Sequence, residues 1–188
     1  LLAAGFTLPE IELPTTGRRA DEPPVLRDVV VKWPRFPFDA FPGMSRRLGT
    51  EMRATGETMT IGGTLAEALL KGLRALELGL DHLIDPEVAR LSDAELRAEL
   101  GASDDRRLFR LAEALRRGMP EEEAAQASDL PLAFVRPIAE IVAAERRLRE
   151  EGLKAAAVQA AKTLGFSDRT IAALTGQTPD AVRRLREA

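Results

Sequence analysis

The chain has 188 residues, room for one ordinary domain, or one domain with a piece of another, and too few for a large multidomain enzyme. Hydrophobic residues at 45% and charged residues at 30% suit a packed core, and 30 acidic against 27 basic side chains leave a net charge of -3 that attracts neither nucleic acid nor an anionic membrane. The absence of cysteine excludes disulfides, thiol catalysis and thiolate metal sites, one histidine (His82) excludes a multi-histidine zinc site, and no apolar run approaches the ~20 residues of a membrane span. Leu1–Phe6 lacks the charged n-region of a secretory signal. A start without methionine, inside an apolar stretch, sets the expectation of a segment from something longer.

Seven prolines between Pro9 and Pro42 rule out continuous helix there, and Arg18–Pro24 reads as an exposed loop. Val29-Val30-Val31 is a short candidate strand closed by Trp33-Pro34, and Thr58-Met59-Thr60-Ile61 a second closed by Gly62-Gly63. Two short strands cannot bury both faces of a sheet, so they read as part of a larger one. From Thr64 the punctuation is helical. Thr64-Leu65-Ala66-Glu67 is a capping box opening a helix that runs to about Leu78 and stops at Gly79. Ser92-Asp93-Ala94-Glu95 repeats the box, with Leu96 and Leu100 on one face and Gly101 after them. Further helices are predicted from Asp104 to Arg117, from Pro120 onward, over 131–151 with Pro137 early in it, over Leu153–Leu164, and over Ser167–Thr175 and Thr178–Glu187. The fold class is therefore mainly α, a bundle of seven or eight helices preceded by a short α+β remnant.

Few residues in this pattern carry chemistry. Gly62-Gly63-Thr64 precedes a helix, but no lysine follows until Lys71, so a strand-to-helix turn explains it better than a phosphate loop. Glu121-Glu122-Glu123 and Glu145, Glu150 and Glu151 read as solvated helical faces among arginines, and His82 as a hydrogen-bonded loop residue. No catalytic, cofactor-binding or metal-ligating residue is assigned. Residues 167–187 have the spacing of a helix-turn-helix, with Gly176 at the turn and arginines on the second helix. A DNA-binding module there is the alternative function, disfavoured by the acidic whole, and no nucleic acid or membrane is expected as partner.

The most specific segment runs Val31-Lys32-Trp33-Pro34-Arg35-Phe36-Pro37-Phe38-Asp39-Ala40-Phe41, then Arg47-Leu48-Gly49-Thr50-Glu51-Met52-Arg53-Ala54-Thr55-Gly56-Glu57-Thr58-Met59, then Glu67-Ala68-Leu69-Leu70-Lys71-Gly72-Leu73-Arg74-Ala75-Leu76-Glu77. It resembles the large subunit of carbamoyl-phosphate synthase at the end of its first ATP-grasp half. Asp105-Arg106 through Gly118, and Gly165-Phe166-Ser167-Asp168-Arg169, resemble landmarks of that family's central helical domain. Departures are local: Thr58 stands where valine is usual, Ala54 where serine is frequent, and residues 9–28 match poorly.

The resemblance implies a cytoplasmic, ATP-dependent ligase serving pyrimidine and arginine biosynthesis. It takes ammonia from glutamine through a separate glutaminase small subunit, activates bicarbonate with one ATP, and passes carbamate through an internal tunnel to be phosphorylated by a second. Residues 1–80 correspond to the end of the carboxyphosphate-forming ATP-grasp domain and 81–188 to the helical oligomerisation domain. ATP and magnesium then belong to the parent enzyme, with none held in this segment. Partners are the small subunit, the remaining domains of the large subunit, and a second copy. Arg35, Phe36, Phe38 and Phe41 read as a plug over the sheet with the phenylalanines buried. Glu57 and Met59 point the same way from one strand and are the candidates for lining the intermediate's passage. Leu96 and Leu100, on a helix too short to stand alone, are the candidates for self-association.

Overall fold

The computed structural model describes residues 1–41 and 43–187; Pro42 and Ala188 lie outside the described residues. Two single-turn 3-10 helices, Leu2–Ala4 and Leu8–Glu10, precede a pair of strands. β1 (Val29–Arg35) and β2 (Gly56–Gly62) pair antiparallel, with Val30 opposite Ile61 and Lys32 opposite Met59. Both are longer than the sequence suggests. Trp33-Pro34 does not close β1, because the free edge of a two-stranded ribbon tolerates a residue without a backbone donor.

Eight α-helices follow among the described residues: α1 (Leu65–Ala75), α2 (Asp93–Glu99), α3 (Arg107–Arg116), α4 (Glu121–Ser128), α5 (Leu132–Glu151), α6 (Ala155–Thr163), α7 (Asp168–Thr175) and α8 (Pro179–Glu187). The architecture is mainly α, a helical bundle after a small antiparallel ribbon. Side-chain caps start four of the helices. Thr64, Ser92, Ser167 and Thr178 accept from the amides of Glu67, Glu95, Thr170 and Ala181. At Ser92 the box is reciprocal, Glu95 accepting from the Ser92 amide at 2.8 Å. At Thr64 it is not, since the Glu67 carboxylate reaches one residue further back, to the Gly63 amide. α1 also ends earlier than Gly79: Glu77 adopts φ +54, a left-handed stop. Pro137 sits inside α5, whose residues Val135, Ile138, Ile141 and Leu148 fill the core.

α1 joins ribbon and bundle. One of its sides carries Gly72, where an added Cβ would lie 2.2 Å from Trp33 Cδ1, so only glycine lets the indole lie against the helix. Its other side meets the α6–α7 turn, where Gly165 (φ +89) would bring a Cβ within 3.0 Å of Glu67 Cα and accepts a 2.7 Å hydrogen bond from Arg74. The ribbon's opposite face is bare. Met59 is 72% exposed, with Val30 and Ile61 beside it, and Lys32 pairs with Glu57 at 2.7 Å across the strands.

The proline-rich segment between the strands is clipped to the bundle. Arg46 forms a bidentate pair with Asp105 (3.0 and 2.9 Å), and the Leu48 amide donates to Ser103 O at 2.8 Å. Phe36 and Phe38 stack at 5.3 Å, with Arg46 over Phe38. The expected plug is thus partial: Phe38 is buried, Phe36 is half-buried and Phe41 is exposed. Among the described residues no helix is long and apolar enough to cross a membrane.

Candidate functional site: a buried ion cluster and two open faces

The sharpest departure from sequence expectation is Glu145. Its sequence, with Glu150 and Glu151 among arginines, reads as a solvated face, yet it is 0% exposed. Its place between Ile141 and Leu148 puts it on the core stripe of α5, and a buried carboxylate must be matched. Three cations and donors do so. Arg116 of α3 forks onto it, Nε to Oε2 and Nη2 to Oε1, both at 2.8 Å. His82 Nε2 donates to Oε1 at 2.7 Å, and Arg149 lies 3.5 Å from Oε2.

Burial pushes the Glu145 carboxyl up, but the hydrogen bonds from Arg116 and His82 outweigh it and hold the group at about 2. Arg116 also binds Glu113 and donates to Leu83 O at 3.2 Å. The His82 ring lies 4.6 Å from that of Phe166 in the α6–α7 turn, and its Nδ1 has no partner. One carboxylate therefore ties the loop after α1 to α3 and α5, and the His82 ring that it holds packs on the α6–α7 turn. His82 is the hydrogen-bonded loop residue that the sequence suggested, but its partner lies 63 positions away.

The other expected site residues fall elsewhere. Leu96 and Leu100 are covered by their own chain, 3% and 0% exposed, within the core that includes Phe109, Leu111 and Ala124. Their expected role as a contact between copies is corrected accordingly: α2 lays this face on the bundle, and Leu100, at the helix end, has no surface left for a second chain. Glu57 and Met59 do share a face of β2, the bare one, as their spacing requires.

Gly62-Gly63-Thr64 does not form an anion cradle. The Gly63 amide is taken by the Glu67 carboxylate at 2.8 Å, Lys71 is spent on Glu67 (2.6 Å) and Ile61 O, and a Cβ on Gly62 would meet the Ala68 amide at 2.8 Å. In the α7–α8 pair Gly176 makes the turn at φ +66, while Arg183 pairs with Glu187 and Arg186 with Asp168. Among the described residues no group of three or more potential metal ligands stands together.

Fold and ion cluster together define a packing domain, in which the buried charge holds loops and helices in register. The family model described as carbamoyl-phosphate synthetase large chain, oligomerisation domain, matches residues 57–188. The chain belongs to that family. The match takes in β2 from its second residue and the eight α-helices of the described residues, the α7–α8 pair among them, and it leaves β1 and the proline-rich segment outside. The family is one of ligases, of which this chain supplies the oligomerisation domain and a scaffold role.

Proposed function

We propose that the chain is the interdomain scaffold and self-association module of a carbamoyl-phosphate synthase large subunit. The parent makes carbamoyl phosphate in the cytoplasm from bicarbonate, glutamine-derived ammonia and two ATP, for pyrimidine and arginine biosynthesis. The family match over 57–188 carries the reading. The bare face of the β1–β2 ribbon supports it, since Val30, Met59 and Ile61 form an apolar strip that a further part of a large subunit would cover. In this reading residues 1–80 close the carboxyphosphate-forming ATP-grasp domain and 81–188 bridge to the rest. The glutaminase small subunit and the other large-subunit domains are the partners.

Magnesium and ATP act in the parent outside this chain. The one glycine-rich helix start does not fit a nucleotide, because its amide and its lysine are both engaged by Glu67. Glu57 and Met59 line the passage of the intermediate from the bare face. Calorimetry of the chain with magnesium-ATP is expected to show no binding, and a micromolar dissociation constant would overturn the scaffold assignment. A large subunit in which residues 1–188 replace the corresponding segment is expected to keep carbamoyl phosphate formation. In it, Met59→Arg lowers product formed per ATP hydrolysed; an unchanged ratio removes Met59 from the passage.

A further inference from the structure

The outward side of α5 carries charges in a pattern that reads the same from both ends. Arg136, Glu140, Ala143, Arg146 and Glu150 are all exposed, spaced 4, 3, 3 and 4 residues apart, and they fall within one third of the helix circumference. Reversing the helix about Ala143 places Arg136 against Glu150 and Glu140 against Arg146, opposite signs each time, with alanine facing alanine. Within the single chain these charges are poorly used. Arg136 reaches Glu121 only at 3.8 Å, and Glu140, Arg146 and Glu150 have no ionic partner among the described residues. Even the Arg136/Glu140 and Arg146/Glu150 pairs, one helical turn apart, do not close.

Beside the stripe runs a groove of about 530 Å³, floored by Ala139, Val142, Met119 and Pro120. Ala139 and Ala143 offer little side chain to hold a second helix away. We propose that α5 packs antiparallel against α5 of a second copy of this chain, on a two-fold axis at Ala143. Arg136 then pairs with Glu150 of the second copy and Glu140 with Arg146 of the second copy, each pair formed twice. A two-fold contact must be self-complementary, which this stripe is and which a stripe of one sign would not be. The inference rests on the self-association reading above and supplies the surface that Leu96 and Leu100 do not.

Sedimentation velocity of the 188-residue chain over a concentration series tests both. The chain is expected to dimerise reversibly and less tightly as salt rises. Arg146→Glu sets two carboxylates against each other on both sides of the axis, and Ala143→Glu sets two at its centre; each weakens dimerisation by roughly tenfold or more. Glu140→Arg combined with Arg146→Glu restores it, whereas Arg184→Glu, on α8, changes nothing. Because these side chains are exposed, helical circular dichroism stays at the parent level. If the chain associates but none of the α5 variants alters it, the α5 pairing is overturned while self-association stands. If the parent chain stays monomeric throughout, self-association of this module fails, and the pairing with it.

Discussion

Replacing Glu145 by glutamine keeps the shape of the side chain and removes its charge, so it measures what the buried ion cluster contributes. The carboxyl is held at about 2 against its ordinary 4.5. At about 1.4 kcal/mol per pH unit, that difference is worth roughly 3 kcal/mol of folding free energy. The sign follows from linkage. A carboxyl with a depressed folded-state value contributes fully above its unfolded value and loses the contribution as pH falls through the folded one. The stabilisation is thus complete above about pH 4.5 and drains away toward pH 2.

The remaining partners limit the cost, because Glu145→Gln leaves the Arg116 guanidinium with Glu113 as its one carboxylate partner, so the loss sits at or below the about 3–5 kcal/mol of a buried pair broken outright. The assay is urea denaturation of both proteins at intervals from pH 2 to 7. Other carboxyls with lowered values, Asp168 and Glu67 among them, titrate alike in both proteins and cancel in the difference. The difference in unfolding free energy is expected to be about 3 kcal/mol at pH 6 and to shrink steadily below pH 4.5. A difference that stays constant down to pH 2 would refute the reasoning, since the loss would then owe nothing to the Glu145 charge.

Gly72→Ala should destabilise by about 1–3 kcal/mol, although alanine is the better helix former by up to ~1 kcal/mol, because its Cβ would lie 2.2 Å from Trp33 Cδ1. Emission from Trp33, the only tryptophan, should shift to the red as the indole lifts, and unchanged emission would count against the packing described. Leu100→Glu should unfold the bundle rather than dissociate a dimer, since it buries a charge in a fully covered site; a folded, monomeric variant by circular dichroism and sedimentation would restore Leu100 as a contact residue. Ser92→Ala should cost about 1 kcal/mol in chemical denaturation, because the lost hydroxyl accepts from the Glu95 amide and donates to the Glu95 carboxylate, and Thr64→Ala less than that, because there only the bond from the Glu67 amide is lost.

Helix starts are legible because a cap is a local device: a hydroxyl and an amide three residues apart decide it, and Ser92 closes the box its sequence spells, while Thr64 caps its helix without the return bond from Glu67 to its own amide. Helix ends are less so, since α1 ends at Ala75 and the chain turns away at Glu77, in a conformation that glycine usually supplies. Strand ends failed for a related reason: a proline closes a strand only where a partner needs its donor, and β1 has a free edge. At Glu145 composition and position point opposite ways. Its spacing from Ile141 and Leu148 already put it on the core stripe, but arginines and glutamates on either side suggested surface. His82 and Arg116 could not have been joined to it from sequence, as each lies on a different element and nothing local encodes the meeting. Leu96 and Leu100 show the same limit, since an apolar face states that it will be covered without stating by what.

How an oligomerisation domain can act as a scaffold follows from where its contacts are concentrated. α1 is gripped on one side by the ribbon, through Trp33 against Gly72 and the 2.8 Å bond from Thr60 to Ala68 O, and on the other by the α6–α7 turn, through Gly165 and Arg74. The loop after α1 is fixed in turn by the Glu145 cluster to α3 and α5. Displacing the ribbon would drag α1, and dragging α1 would strain an ion cluster whose disruption costs several kcal/mol. The open sheet face and the outward stripe of α5 thus belong to one connected body. Copies joined through α5 would hold their sheet faces, and whatever each face covers, in a fixed mutual orientation, which suits the scaffold role of an oligomerisation domain.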